Sequence, residues 1–158
     1  MPSHSETQYL PYTTRQIFDL VADVALYPEF IPWCVGARVY DREGDQFTAD
    51  LLIGYKQLRE KYTSQVVCTP PTGDHGECAI DVSLIRGPFH HLHNHWKFYP
   101  DGEGTRVEFH LDFHFRTKML EKLIGGFFFK ATQKMVEAFR SRAETLYSIP
   151  SVSPDNRT

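Results

Sequence analysis

The hydrophobic residues of the last long stretch without proline, 117–147, recur at spacings of three, four and seven. At about 100° per residue these positions fall on one side of a helical wheel. The stretch therefore predicts one helix, about 45 Å long at the usual rise per residue. Gly125-Gly126 is its weak point, because each glycine costs about 1 kcal/mol relative to alanine in a helix interior. We expect a kink or break there. The apolar positions are Leu120, Ile124, Phe127, Phe128, Ala131, Met135, Ala138, Phe139 and Leu146.

Hydrophobic and polar residues alternate through most of the chain before this helix. A first strand over 7–11 is followed by short helical patterns over 13–21 and 23–26. Consecutive alternating segments separated by turn residues predict antiparallel hairpins. Such a sheet must bury its apolar face, and the final helix supplies the partner. The sequence therefore predicts an α+β fold in which a bent antiparallel sheet of about seven strands surrounds the long C-terminal helix. The six later strands are expected over 35–42, 47–53, 58–68, 78–84, 90–99 and 105–115.

An aromatic, proline-containing segment runs from Tyr27 to Cys34. Pro28 and Pro32 are four residues apart, a spacing that disfavours a helix because each proline removes a donor and restricts the residue before it. An apolar segment of this kind should fold over the interior. It either fills the core or forms the rim of a binding cavity.

Composition narrows the class of protein. The chain has 158 residues and a net charge of −3, which excludes DNA binding driven by overall charge. We expect one domain over 1–147 and a disordered tail over 148–158, which is rich in Pro, Ser and polar residues. Three cysteines without a Cys-x-x-Cys pair favour a reducing, cytoplasmic compartment. No signal peptide or membrane-spanning run is visible.

Several motifs within 8–147 resemble the coenzyme Q-binding START-like family of the polyketide cyclase/dehydrase superfamily. The resemblance is to its bacterial branch, which includes the ribosome-association toxin. It implies the helix-grip (START/Bet v 1-like) fold and a non-enzymatic protein that binds ubiquinone or a related isoprenoid and supports respiratory electron transport. A ribosome-associated factor that interferes with subunit association is the alternative. The motifs are Asp23-Val24, Tyr27-Pro28-x-Phe30-x-Pro32-Trp33-Cys34, Gly87-Pro88-Phe89, Trp96-Lys97-Phe98 and Phe109-His110-Leu111-Asp112-Phe113.

The apolar faces of the predicted elements place a set of side chains towards one interior. As core residues they need no further function; as cavity residues they would surround a hydrophobic ligand. Asn94 lies on the same face, and its amide requires a partner, because a buried amide without one costs about 1–3 kcal/mol. A backbone group, a water molecule or a ligand carbonyl would serve. The expected ligand-binding residues are Phe30, Trp33, Leu51, Ile53, Tyr62, Trp96, Phe109, Phe127, Phe128 and Met135.

The histidines are the main candidates for a metal site or an active site. If Trp96 pairs with Phe109, strand alternation sets three histidines against three polar residues on the opposite, solvated face. The predicted pairs are His95 with His110, His93 with Asp112 and His91 with His114. Two such imidazoles could share a zinc, nickel or copper ion. We favour a solvated face without a native metal.

No nucleophile–base pair or paired carboxylates can be recognised in the sequence. Only Asp50, Tyr62 and His90 are candidates for acid–base chemistry. The chain is therefore not expected to be an enzyme, and a cyclase-like activity is the second alternative.

A water-insoluble ligand requires contact with a membrane. Phe129, Lys130 and Lys134 share the polar side of the predicted helix with other basic residues, a pattern typical of an interfacial helix. We expect transient contact at the inner face of the cytoplasmic membrane through these residues. A plain solvated face is the alternative, since glutamates dilute the positive charge.

Overall fold

Seven antiparallel strands form one continuous sheet in the computed structural model, which describes residues 3–147. The strand order is β1-β7-β6-β5-β4-β3-β2, so that the first strand joins the last. The predicted tail, 148–158, lies outside the described residues. The strands are β1 Ser3–Leu10, β2 Cys34–Glu43, β3 Gln46–Tyr55, β4 Leu58–Thr69, β5 Cys78–Arg86, β6 Phe89–Asp101 and β7 Gly104–Phe115.

Two short helices connect β1 to β2. Helix α1, Thr14–Ala22, begins with a capping box in which the Thr13 hydroxyl accepts from the Gln16 backbone N–H and the Gln16 side chain accepts from the Thr13 N–H. A 3₁₀ helix follows over Val24–Glu29 and contains Pro28, so the prediction that this proline lies outside any helix is wrong. Proline is tolerated because the turn's bonds run from other donors, Leu26 to Asp23 and Phe30 to Tyr27.

The C-terminal helix, 118–147, consists of four segments. They are α2 Lys118–Leu120, a π-helical turn Glu121–Gly125, α3 Gly126–Gln133 and α4 Met135–Tyr147. The irregularity expected at Gly125-Gly126 takes the form of a change from π-helical to α-helical hydrogen bonding between these two glycines, both of which keep helical backbone angles. A second interruption lies at Lys134, with φ −105° and ψ 5°. Glycine weakens a helix but does not forbid one, and buried Ile124 and Phe128 fix the backbone on either side.

Aromatic rings join the C-terminal helix to the concave face of the sheet. Phe128 packs against Phe113 at 4.8 Å and against Phe89 at 5.2 Å between ring centroids, and Phe139 packs against Trp96 at 5.2 Å. These contacts confirm the predicted α+β helix-grip arrangement. Within residues 3–147, no helix combines the length and the apolar character needed to cross a bilayer.

The pairing of β6 with β7 fixes which residues face the helix. Trp96 is opposite Phe109 and His95 is opposite His110, as predicted. Trp96 and Phe109 are almost fully buried, whereas His95 and His110 are partly exposed. The histidines therefore occupy the convex face, on the other side of the sheet from the helix.

Candidate ligand cavity

A small apolar cavity of about 60 Å³ lies between the concave face of the sheet and the C-terminal helix. The 3₁₀ helix and the segment after it close one side, where Tyr27 packs edge-on against Phe139 at 5.3 Å. The aromatic segment before β2 thus folds over the interior, as its composition predicts. The cavity is lined by Val24, Tyr27, Ile31, Trp33, Cys34, Ala49, Leu51, Ile53, Tyr62, Ser64, Val66, Val82, Leu92, Asn94, Trp96, Leu111, Phe128, Ala131, Thr132, Met135 and Phe139.

Most of the residues predicted to bind a ligand lie in this lining. They come from the segment before β2, from three strands and from the C-terminal helix, because alternate positions of each strand face inwards. The predicted residues that line the cavity are Trp33, Leu51, Ile53, Tyr62, Trp96, Phe128 and Met135.

Three predicted residues do not line the cavity. Phe127 stacks on Tyr55 with 4.2 Å between centroids, at the end of the sheet where β3 turns into β4. Phe30 packs edge-on against Phe139, and Phe109 is buried beside Trp96. The helical and strand periods predict the correct face for Phe127 and Phe109, but their positions along the helix and the strand place them outside the cavity lining.

The polar groups in the cavity are few, and those of Asn94, Trp96 and Thr132 have hydrogen-bond partners. The Asn94 amide donates to the His110 carbonyl at 2.9 Å, and its oxygen accepts from the Trp96 indole N–H at 3.0 Å. The Thr132 hydroxyl donates to the Phe129 carbonyl. Among the described buried side-chain oxygens, Ser64 Oγ alone has no hydrogen-bond partner, although Ser64 is only 3% exposed.

Ser64 is not among the binding residues predicted from the sequence, although the alternation of β4 places it on the same face as Tyr62 and Val66. Whether a hydroxyl finds a partner depends on the packing of neighbouring strands, and that cannot be read from alternation alone.

The ionisable groups of the cavity are held neutral. Burial raises the pKa of the Cys34 thiol to about 11, against a smaller opposing effect of hydrogen bonding with the Gly36 backbone. Burial likewise raises the pKa of the Tyr62 phenol far above its ordinary value, with a further contribution from Cys34. The cavity therefore suits a neutral, mostly apolar molecule with a hydrogen-bond acceptor.

The candidates for acid–base chemistry are not brought together. Asp50 lies on the face of β3 opposite Leu51, where its carboxylate accepts from Arg38, Tyr40 and Thr63 at 2.7–3.1 Å. Burial raises the pKa of Asp50, but these hydrogen bonds and the Arg38 charge outweigh burial, and the pKa lies below its ordinary value. His90 is exposed on the surface. Of the three candidates, only Tyr62 reaches the cavity.

The residues predicted to touch a membrane are placed differently from the expectation. Phe129 is half-buried and its ring lies 6.5 Å from that of Phe113, so the prediction that it protrudes is wrong. Lys130 and Lys134 are exposed as expected. Near the start of the helix, the apolar side chains that do protrude are Met119, which is 70% exposed, and Leu123, which is 49% exposed. Both lie on the first turns of the helix, and neither was predicted from the sequence to contact a membrane.

Comparison with known proteins agrees with the fold. The chain is 41% identical over 144 residues to the ribosome association toxin RatA of Rickettsia prowazekii, covering 91% of this chain and 97% of that protein. It is 30% identical over 148 residues to the coenzyme Q-binding protein COQ10 homolog B, mitochondrial, of Xenopus laevis, covering 91% of this chain and 59% of that protein.

A solved START superfamily protein from Mycobacterium smegmatis superposes with a TM-score of 0.69, covering 91% of this chain and 98% of that one. At 20% sequence identity that likeness shows the fold alone. The family model described as polyketide cyclase / dehydrase and lipid transport matches residues 10–140. With most of its length matched, the chain belongs to that polyketide cyclase / dehydrase and lipid transport family.

Proposed function

We propose that this protein binds ubiquinone or a related isoprenoid in the helix-grip cavity and catalyses no reaction on it. The observation that carries the proposal is the apolar cavity in which the buried Ser64 hydroxyl has no hydrogen-bond partner. The similarity to a protein named for coenzyme Q binding supports the same ligand class. Support of respiratory electron transport is part of the proposal.

Ser64 gives the cavity a specific means of holding a quinone ring. A quinone carbonyl is a hydrogen-bond acceptor without a donor, and the Ser64 Oγ–H is a donor without an acceptor. The bond would recover the cost of a buried hydroxyl left unpaired, about 1–3 kcal/mol. Because Asn94 and Trp96 already satisfy each other, Ser64 is the residue we assign to the carbonyl.

The cavity must enlarge to take such a ligand. One water needs about 10–15 Å³ of such space, so 60 Å³ holds roughly four to six waters, which is less than a quinone ring with its tail. The π-helical turn and the interruption at Lys134 are the two places where the C-terminal helix departs from regular hydrogen bonding. We propose that α3 moves between them, separating Phe127 from Tyr55.

An anionic membrane surface is the proposed source of the ligand. Consecutive antiparallel strands bring the β3–β4 turn, the β5–β6 turn and the start of the C-terminal helix to the same end of the sheet. Exposed Met119 and Leu123 lie at that end beside exposed Arg116, Lys118 and Lys122. Protruding apolar side chains surrounded by basic ones match the acyl and phosphate layers of an anionic leaflet, where each basic residue contributes about 1 kcal/mol.

Tryptophan fluorescence tests the proposal directly, because both tryptophans of the chain, Trp33 and Trp96, line the cavity. Titration with a short-tailed ubiquinone should quench the wild type in a saturable manner. Leu51→Lys should abolish saturable quenching, since an unpaired ammonium in an apolar cavity costs several kcal/mol.

The matched control is Leu52→Lys, one residue away on the opposite face, where Leu52 lies against Gly36. It should bind as the wild type does. Circular dichroism establishes that each variant is folded. Equal quinone affinity in folded Leu51→Lys and wild type would refute cavity binding.

Ribosome association is the second candidate function. It is favoured by the high identity and nearly complete coverage of a protein named ribosome association toxin. The basic end around Lys118 and Lys122 offers a surface for ribosomal RNA despite the net charge of −3. Co-sedimentation with ribosomal subunits in a sucrose gradient tests this candidate. Binding that is lost in Lys118→Glu/Lys122→Glu but retained in Leu51→Lys would establish it separately from the lipid cavity.

A further inference from the structure

A carboxylate and two imidazoles converge on the convex face of the sheet, away from the cavity. Asp81 in β5 pairs with His95 in β6, and the next pair on the same face is Ser83 with His93. Because residues two apart on a strand share a face, His93 and His95 both lie beside the Asp81 carboxylate. The three side chains are 32–38% exposed, so an ion could reach them from solvent.

The three potential ligand atoms are already close together. Asp81 Oδ1 lies 2.8 Å from His93 Nε2 and 2.8 Å from His95 Nδ1. All three atoms lie within 4.8 Å of one another. In a tetrahedral zinc site with bonds of about 2.0–2.1 Å, ligand atoms are separated by roughly 3.3 Å. Small side-chain rotations would therefore admit an ion where the two hydrogen bonds now converge.

The identity of the donors indicates the class of metal. Two imidazole nitrogens and one carboxylate oxygen suit zinc, nickel and copper, whereas calcium and magnesium require more oxygen ligands. Exposure of the site leaves room for water to complete the coordination. Ser83 Oγ lies 3.4 Å from the other carboxylate oxygen of Asp81 and would help to orient it.

A neighbouring cluster has the same residue types but a different geometry. Asp112 contacts His91 Nε2 at 2.8 Å through Oδ1 and His110 Nε2 at 3.4 Å through Oδ2. The two imidazoles thus use different carboxylate oxygens, and His110 Nδ1 is also bonded to Ser5 Oγ. In residues 3–147, the Asp81 group is the one with three ligand atoms within 4.8 Å of one another. The Asp112 cluster therefore provides a matched control.

We propose that Asp81, His93 and His95 form a surface binding site for one divalent transition-metal ion of the zinc, nickel or copper class. The sequence favoured a solvated histidine face without a metal, because it did not reveal that Asp81, from another strand, lies beside His93 and His95 as a third potential ligand. This site is independent of the proposed lipid function, since it lies on the opposite side of the sheet.

Isothermal titration calorimetry of the full chain without a histidine tag tests the site. Zn²⁺ and Ni²⁺ in a non-coordinating buffer should bind with one ion per chain in the wild type, while Mg²⁺ should give no saturable heat. Asp81→Asn should raise the Zn²⁺ Kd about tenfold or more. His93→Gln/His95→Gln should remove the stoichiometric phase. His91→Gln, in the Asp112 cluster, should retain wild-type Kd and stoichiometry.

Circular dichroism shows whether these surface variants remain folded. Cu²⁺ electron paramagnetic resonance gives an independent readout, in which two nitrogen donors should be lost in the folded His93→Gln/His95→Gln variant. Absence of stoichiometric Zn²⁺ binding by the wild type would overturn the proposal. Loss of binding in His91→Gln equal to that in the double variant would do so as well.

Discussion

Ser64→Ala removes a fully buried cavity hydroxyl that lacks a hydrogen-bond partner. Ser64 is 3% exposed, and its replacement by alanine changes little but the oxygen atom. An unpaired buried hydroxyl costs about 1–3 kcal/mol, although the cavity of about 60 Å³ has room for water that recovers part of this. We therefore expect the ligand-free variant to be more stable than the wild type by about 1 kcal/mol, at the low end of that range.

The same substitution should weaken quinone binding. A hydrogen bond contributes a net of about 0.5–1.5 kcal/mol, so the Kd should rise roughly two- to tenfold. The ligand-free melting temperature should rise by about 2–4 °C, the shift that 1 kcal/mol produces in a protein of this size. Stability and affinity thus move in opposite directions, which a general packing defect would not produce.

Two assays measure the effects of Ser64→Ala. Differential scanning calorimetry gives the melting temperature without ligand, and quenching of Trp33 and Trp96 gives the quinone Kd. Ser83→Ala, an exposed serine on the convex face, is the matched control and should change neither quantity by much. An unchanged Kd in Ser64→Ala, or a lower melting temperature, would contradict the role assigned to this hydroxyl.

Three further predictions follow from other parts of the structure. Gly126→Ala should stabilise the fold by about 0.5–1 kcal/mol, because no atom lies within 4 Å of the added Cβ. Gly87→Ala should destabilise it, because its Cβ would lie 2.5 Å from that of Tyr62. Denaturant unfolding compares the two variants, and a Gly87→Ala protein as stable as the wild type would contradict the close packing. The pKa of Asp50 is lowered on folding, so its contribution to stability is present above the unfolded pKa of about 3.9 and is lost as pH falls through the lower folded pKa. In urea unfolding between about pH 5 and 2.5, the free energy of unfolding should therefore fall less steeply with pH for Asp50→Asn than for the wild type. Equal pH dependence in the two proteins would argue against the effect. Met119→Asp should reduce co-sedimentation with anionic vesicles at low salt, with zwitterionic vesicles as the control, and equal binding by wild type and variant would exclude this contact.

The sequence predicted the sheet and its pairing well, because those features follow from local alternation. Seven strands, the antiparallel order and the opposition of His95 to His110 are as expected. Strand register is set by which face is buried, and the apolar face of β6 and β7 is unambiguous. The long helix was also predicted correctly, because the spacing of its apolar residues is a local pattern.

Features that depend on three-dimensional packing were predicted poorly. The helix interruption at Lys134 was not expected, because no glycine or proline in the sequence marks it. Phe129 turns towards Phe113 rather than towards solvent. The unpartnered Ser64 hydroxyl and the Asp81 carboxylate beside two histidines depend on contacts between strands that alternation within one strand does not reveal.

Mass spectrometry of solvent extracts from the purified full chain tests the central claim most directly. The protein should be produced without a tag in cells that make ubiquinone, and Leu51→Lys and Leu52→Lys should be purified in the same way. We expect ubiquinone or its isoprenoid precursors to co-purify with the wild type and Leu52→Lys, and to be largely lost from folded Leu51→Lys. Wild-type protein free of any isoprenoid, or the same amount in folded Leu51→Lys, would contradict the claim.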